Sequence, residues 1–266
     1  VSANPTGPLH VGHGRHAAYG ACLANLLGAT GHTVHREYYV NDAGRQMDIL
    51  ALSVWLRFLQ LSGHDFEFPA SAYQGDYIKP VAEHLRGDSR LTKIGLPTDL
   101  FDDLPEDADT RLDTLIARAR RALGEDGFDA VLQVTLQDIL GDIRDDLEEF
   151  GVTYDQWFSE KSLSTDGAVQ RALTLLAKNG VTYEKDGATW FRATDYGDEK
   201  DRVVVRDNGR TTYFASDIAY HLQKRERGYT DLIDVLGADH HGYVARVRAG
   251  LEAMGEPPEC LEVQLV

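Results

Sequence analysis

Ser2-Ala3-Asn4-Pro5-Thr6-Gly7-Pro8-Leu9-His10-Val11-Gly12-His13-Gly14-Arg15 joins a short apolar opening to the start of a helix, and its reading sets the reading of the rest of the chain. Pro5, Gly7 and Pro8 make a tight turn. The turn delivers His10, Gly12 and His13 to a predicted first helical turn, where backbone N–H groups without intrahelical partners and the helix dipole favour an anionic phosphate. Gly12 has no Cβ, so a base or ribose can approach the backbone there, and His10 and His13, three apart, face one side. Taken alone, the two histidines also read as surface residues or as a pair of metal ligands.

Working outward, Val1-Ser2-Ala3 reads as the end of a strand, and a helix runs from Val11 or His13 to Leu27 with Gly28 as its C-terminal cap. Thr33–Val40 reads as a strand, which completes a βαβ unit and puts the phosphate-binding turn at a strand's carboxyl end, where open α/β sheets hold ligands. Helices are expected over about 43–61, 75–86, 106–123 and 128–150. In the last of these Leu132, Leu136, Ile139, Ile143, Leu147 and Phe150 recur at steps of three or four. Strand and helix then alternate again: a strand over 152–158, and a helix over 166–178 capped by Thr165 or Ser164 and ended by Gly180. Short strands follow at 181–184, 189–193, 202–206 and 211–214, then a helix over 217–225, a strand over 231–236, a helix over 241–254 and a strand over 261–266. The expected fold is α/β, a Rossmann-type parallel sheet with helices on both faces. Residues 1–60 form its first half, 61–150 an acidic helical insertion, and 151–266 its second half with a β-rich excursion at 181–214.

The chain has 266 residues, 42% of them hydrophobic, enough for one large core or a domain with an insertion. No run approaches about 18 consecutive apolar residues, so no membrane span is expected. The opening residues carry neither a basic nor an apolar leader pattern. Cys22 and Cys260, the only cysteines, form no close pair, which fits a reducing cytoplasm better than a disulfide framework. The net charge is −16, and residues 98–150 hold 16 Asp and Glu against 5 Lys and Arg. Solvated helix faces account for that stretch, and a nucleic acid is not expected to lie along it.

The segment Ser2 to His13 resembles the "HIGH" element of class I aminoacyl-tRNA synthetases, in wording similar to the arginyl-tRNA synthetases. Three more matches follow in order: Tyr39-Val40-Asn41-Asp42-Ala43-Gly44-Arg45-Gln46, Tyr213-Phe214-Ala215-Ser216-Asp217-Ile218-Ala219-Tyr220-His221, and Gly237-Ala238-Asp239-His240-His241-Gly242-Tyr243. The resemblance implies attack of an arginine carboxylate on the α-phosphate of ATP, with Mg2+, followed by transfer of arginine to tRNA(Arg). Neither step needs a protein nucleophile, so alignment and donors aimed at the developing phosphate charge suffice.

By this resemblance His10, Gly12 and His13 are catalytic and bind ATP together with Gly237, Asp239 and His240. Ser2, Asn4, Tyr213, Asp217 and His240 hold arginine. Asp217 suits the guanidinium because a carboxylate can take both arms of the fork. Read without the resemblance, Asp217 is a helix N-cap and Tyr213 a strand-end core residue. Asp239 and His240 stand where the family often has Gln, and Asp239-His240-His241 alone also matches a metal-binding triplet of phosphoesterases. Asn41, Asp42 and Gln46 build a pocket wall or start the helix, with a pure capping role as the alternative for Asn41 or Asp42. A Lys-Met-Ser-Lys-Ser-like loop, expected shortly after a strand such as 261–266, is absent from the sequence, as are the family's flanking tRNA-binding domains and an upstream Glu. The stretch is therefore expected to be inactive by itself, and a monomer. The alternatives are a class I synthetase for another amino acid, or a non-catalytic arginine- or nucleotide-binding module.

Overall fold

The computed structural model describes residues 3–87, 95–240 and 242–266. In chain order these residues form α1 (Val11–Ala29), β1 (Glu37–Val40), α2 (Arg45–Leu61), α3 (Ile78–His84), α4 (Ala108–Glu149), β2 (Gln156–Ser159), α5 (Glu160–Thr165) and α6 (Ala168–Lys178). After them come β3 (Thr182–Lys185), β4 (Ala188–Phe191), β5 (Arg202–Val205), α7 (Tyr213–Glu226), β6 (Leu232–Leu236), α8 (Tyr243–Ala253) and β7 (Leu261–Leu265). The fold is mixed α/β with parallel strands and a large helical segment. β1 pairs with β2 in parallel, Val40 opposite Ser159, and β6 pairs with β7 in parallel, Leu232 opposite Leu261. β3, β4 and β5 form an antiparallel meander. Of the expected opening strand, Val1 and Ser2 lie outside the described residues and Ala3 is in no strand.

The chain forms two compact units, one comprising 11–40 and 154–266, the other 3–10 and 41–153. The core of the first gathers Phe158, Leu163, Leu176, Phe191, Ile218, Val247 and Leu261 from the strands and from α5 to α8. On α8, a Cβ built at Gly250 meets Cγ2 of Ile218 on α7 at 2.4 Å. Ile218 is β-branched and fully buried, so it has no rotamer into which to retreat. Gly250→Ala is therefore expected to lower stability by about 1–3 kcal/mol through overpacking, although alanine is the better helix former. Equilibrium denaturation checks this, and an unchanged or raised midpoint would show that the two helices can separate freely.

In the second unit α2 is the central element. Met47, Ile49, Leu50, Leu52, Val54, Trp55, Leu56, Phe58 and Leu59 are buried around most of its circumference, as befits a helix enclosed on several sides. Buried Ser53 is satisfied: its hydroxyl donates to the carbonyl of Ile49 at 2.6 Å and accepts from the N–H of Tyr73 at 2.9 Å. The two helices expected around 106–150 are joined end to end as α4, broken at Gly124, whose φ of 69° and ψ of 165° leave the helical region. Among the described residues no helix is long and apolar enough to cross a membrane.

Three local expectations are corrected. α1 continues through Gly28 to Ala29, and the left-handed residue is Gly31, with the N–H of His32 returning to the carbonyl of Leu27 at 3.1 Å. Residues 164 and 165 belong to α5, and α6 is entered through Gly167 with no side-chain cap. Residues 211–214 do not form a strand beyond a single bridge from Thr211 to Val205: the Thr212 side chain accepts from the N–H of Ala215, and the helix starts at Tyr213. Two adjacent threonines and two aromatics look like a strand, yet a threonine cap outweighs that propensity.

Candidate functional site

In the unit containing α1, the helix lies against β6 and β7. His16 Nε2 is 3.0 Å from the carbonyl oxygen of Val266, and the Tyr19 hydroxyl donates to Gln264 at 2.7 Å. Moving back along α1 from 19 to 16 moves forward along β7 from 264 to 266, so α1 runs antiparallel to the strand. Its N-terminal turn, with Gly12 and His13, is thus at the carboxyl end of the β6–β7 pair, the ligand-binding end of open α/β sheets. That first turn carries no acidic side chain to compete with a phosphate. Gly237 leaves the same end of β6, and residues 238–240 make a single 3-10 turn in which His240 is exposed, its Nδ1 3.3 Å from the carbonyl oxygen of Gly237.

α7 supplies the second cluster. Tyr213, exposed, is its first residue, and Asp217, half-buried, lies one turn on along the same face. The capping alternative for Asp217 is excluded, because Thr212 is the N-cap. Burial pushes the Asp217 carboxyl up to about 7, helped by the carboxylates of Glu160 and Asp234, while the Arg246 guanidinium pulls it down. Glu160 is itself buried and opens α5 directly after β2, at the carboxyl end of the β1–β2 pair. Sequence reasoning passed over Glu160. The available signal was its place immediately after the end of a strand, the end of a parallel pair at which open α/β sheets bind ligands. Asp217 and Glu160 thus disfavour each other's charge in one desolvated neighbourhood, an effect that the Arg246 guanidinium opposes at Asp217.

The remaining expected residues fall elsewhere or outside description. Ser2 and His241 lie outside the described residues, as does the side chain of Asp239, so the phosphoesterase-like triplet falls there too. Asn4 and the exposed His10 are counted with the helical unit. Within that unit Asn41 donates to the Asn4 side-chain oxygen at 2.7 Å, and α2 is entered through Gly44 without a side-chain cap, so Asn41 and Asp42 are not its N-cap.

Residues 1–68 match the family described as tRNA synthetases class I (R), catalytic domain. The chain is 59% identical to an arginine-tRNA ligase of Thioalkalivibrio sulfidiphilus and 57% identical to one of Azoarcus. In both cases the match covers all of this chain, and 46% and 48% of those proteins. Among solved structures, one from Campylobacter jejuni described as an arginyl-tRNA synthetase superposes with a TM-score of 0.80 at 35% identity, covering 100% of this chain and 53% of that one. The Thermus thermophilus arginyl-tRNA synthetase, at 23% identity and a TM-score of 0.67 over 99% of this chain and 46% of that one, shares the fold. From end to end the chain is thus similar to arginine-tRNA ligases, with its residues 1–68 matching the class I catalytic domain, and it spans about half the length of the curated relatives it matches.

Proposed function

We propose that the chain is the catalytic part of an arginine-tRNA ligase of the cytoplasm, which activates arginine with ATP to arginyl-adenylate and passes it to tRNA(Arg). The identity of 59% to a ligase of that name, sustained over the whole chain, carries this reading. The acidic neighbourhood of Asp217 and Glu160 supports it chemically, since of the ordinary amino acids arginine best fills a site asking for a permanent, planar cation.

In this reading Asp217 takes the guanidinium fork, with Glu160 adding charge and Tyr213 covering the same face. Asn4 and Ser2 serve the substrate's ammonium and carboxylate. His10 and His13 donate to the phosphates of ATP, Gly12 leaves room for the nucleoside, and Gly237, Asp239 and His240 flank it. Donors fixed on a helix start need no rearrangement as charge develops on the α-phosphate. The first turn of α1 offers no carboxylate, so Mg2+ is expected to arrive with the ATP phosphates, neutralising their charge, without a dedicated cage on that helix.

The test is ATP–pyrophosphate exchange by the full-length gene product in the presence of tRNA. Exchange is expected with arginine and not with lysine or citrulline. Exchange driven by another amino acid would move the chain to a different synthetase, and tight arginine or ATP binding without exchange would make it a binding module.

A further inference from the structure

His221 is fully buried one turn beyond Asp217 on α7. Its Nδ1 lies 2.7 Å from the backbone carbonyl oxygen of Asp217, and its Nε2 lies 2.7 Å from Oδ2 of Asp234 on β6. The other oxygen of Asp234 accepts from Nζ of Lys224 at 3.0 Å. A carbonyl oxygen offers only lone pairs, so Nδ1 donates to it, which fixes the orientation of the ring. Asp234 thus faces a ring tied to the backbone of Asp217 on one side and an ammonium on the other. The pair with Lys224 and the bond to His221 hold its carboxyl far below the ordinary range against the opposing effect of burial. Packing alone does not call for this arrangement, since apolar side chains of similar volume fill such a space at no smaller stability.

We propose that Asp234 is a positioning residue for the arginine site. Through His221 it fixes the turn of α7 that carries Asp217, and it balances the charge of Lys224 in the same buried cluster. The inference rests on the reading of Asp217 as the guanidinium acceptor. Asp234 does not touch the substrate in this account. It acts by holding a carboxylate still and by setting the charge behind it, the two requirements for recognising a rigid fork.

The experiment measures the KM for arginine, the KM for ATP and kcat of the full-length gene product with tRNA present. Asp234→Asn leaves the Lys224 charge unbalanced and is expected to raise the arginine KM by about tenfold or more, with the ATP KM and kcat near their original values. The charge-neutral pair Asp234→Asn with Lys224→Met is expected to recover most of that loss, which a purely structural role would not produce. His221→Gln keeps a donor for Asp234 and gives up the bond to the Asp217 carbonyl, so it is expected to raise the arginine KM. His221→Asn, which can keep that bond, is expected to raise it less. This pair of variants carries the test if Asp234→Asn does not fold. Altered melting temperatures with an unchanged arginine KM in these variants would overturn the inference. Asp217→Asn run alongside separates the two claims. If it raises the arginine KM while Asp234→Asn and His221→Gln do not, this inference alone fails; if it leaves the arginine KM unchanged, the reading of the site fails and takes the inference with it.

Discussion

Asp217→Asn is expected to weaken arginine binding by about 2–5 kcal/mol, the range for removing one partner of a desolvated charge pair, and at the same time to raise the melting temperature of the ligand-free protein. Both effects have one cause. The carboxyl of Asp217 titrates near 7 in the folded chain against an ordinary value of 3.8, because it is buried among carboxylates. Between these two values the folded state holds the proton and the unfolded state does not, so stability falls as pH rises through that window and stays lost above about 7. Asparagine carries no such penalty. In the proposed reading arginine binds the ionised carboxylate, so below about pH 7 its binding would expel a proton and its affinity is expected to drop towards tenfold per unit, while above that it levels off. The asparagine variant should show no such slope. Calorimetric titration of arginine at several pH values, together with thermal unfolding at pH 8, measures all three effects. Equal affinity and an unchanged melting temperature would reduce Asp217 to an ordinary helix residue.

His13→Ala is expected to lower the rate of arginine activation by about a hundredfold to a thousandfold, the usual consequence of deleting one donor aimed at transition-state charge, worth about 2.7–4 kcal/mol. His13 lies in the first turn of α1 at the carboxyl end of the β6–β7 pair, and Asp217 lies on α7. The arginine KM should therefore change by less than about threefold, in contrast to the Asp217 variant. Pre-steady-state measurement of adenylate formation by the full-length gene product separates the two. A collapse of arginine affinity with an undiminished chemical step would mean that His13 serves the amino acid and not the phosphate.

The periodic helices were the legible part of the fold. The stripe from Leu132 to Leu147 is buried along α4 as its spacing requires, but Phe150, expected to continue it, is the exposed C-cap residue just beyond the helix, and the break between the two halves of that helix falls at a glycine. Ends were less legible, because neighbouring residues compete for the same task. Gly28 and Gly31 can each end α1, and only the bond from His32 to Leu27 selects Gly31. At Thr211-Thr212-Tyr213-Phe214 strand propensity and capping make opposite claims on one threonine, and its bond to Ala215 settles the matter. Asp217 stood out in the sequence through its neighbours in a motif. Glu160 did not, since its meaning comes from a parallel pairing between residues 37–40 and 156–159 that local sequence cannot reveal. The network of His221, Asp234 and Lys224 was hidden for the same reason, its members meeting only where α7 lies against β6.

The parallel pairing of β1 with β2 also bears on the order of events during folding. The chain leaves β1 at Val40, builds the helical unit from residues 41–153, and enters β2 at Gln156, so that unit takes the place of the crossover in a βαβ motif. A parallel pair needs a crossover of only about a dozen residues, whereas this one exceeds about a hundred, and closing the longer loop from an unfolded chain adds roughly 2 kcal/mol to the entropic barrier. Within the helical unit α2 and α3 meet through contacts that are much closer in sequence, so that part is expected to form before the strands pair. Val40 and Ser159 accordingly find their register late, and Glu160, one residue further on, reaches its place only once the acidic helices have collapsed. A substitution that slows that collapse is expected to delay the maturation of the proposed arginine pocket in a newly made chain without altering a single residue assigned to it.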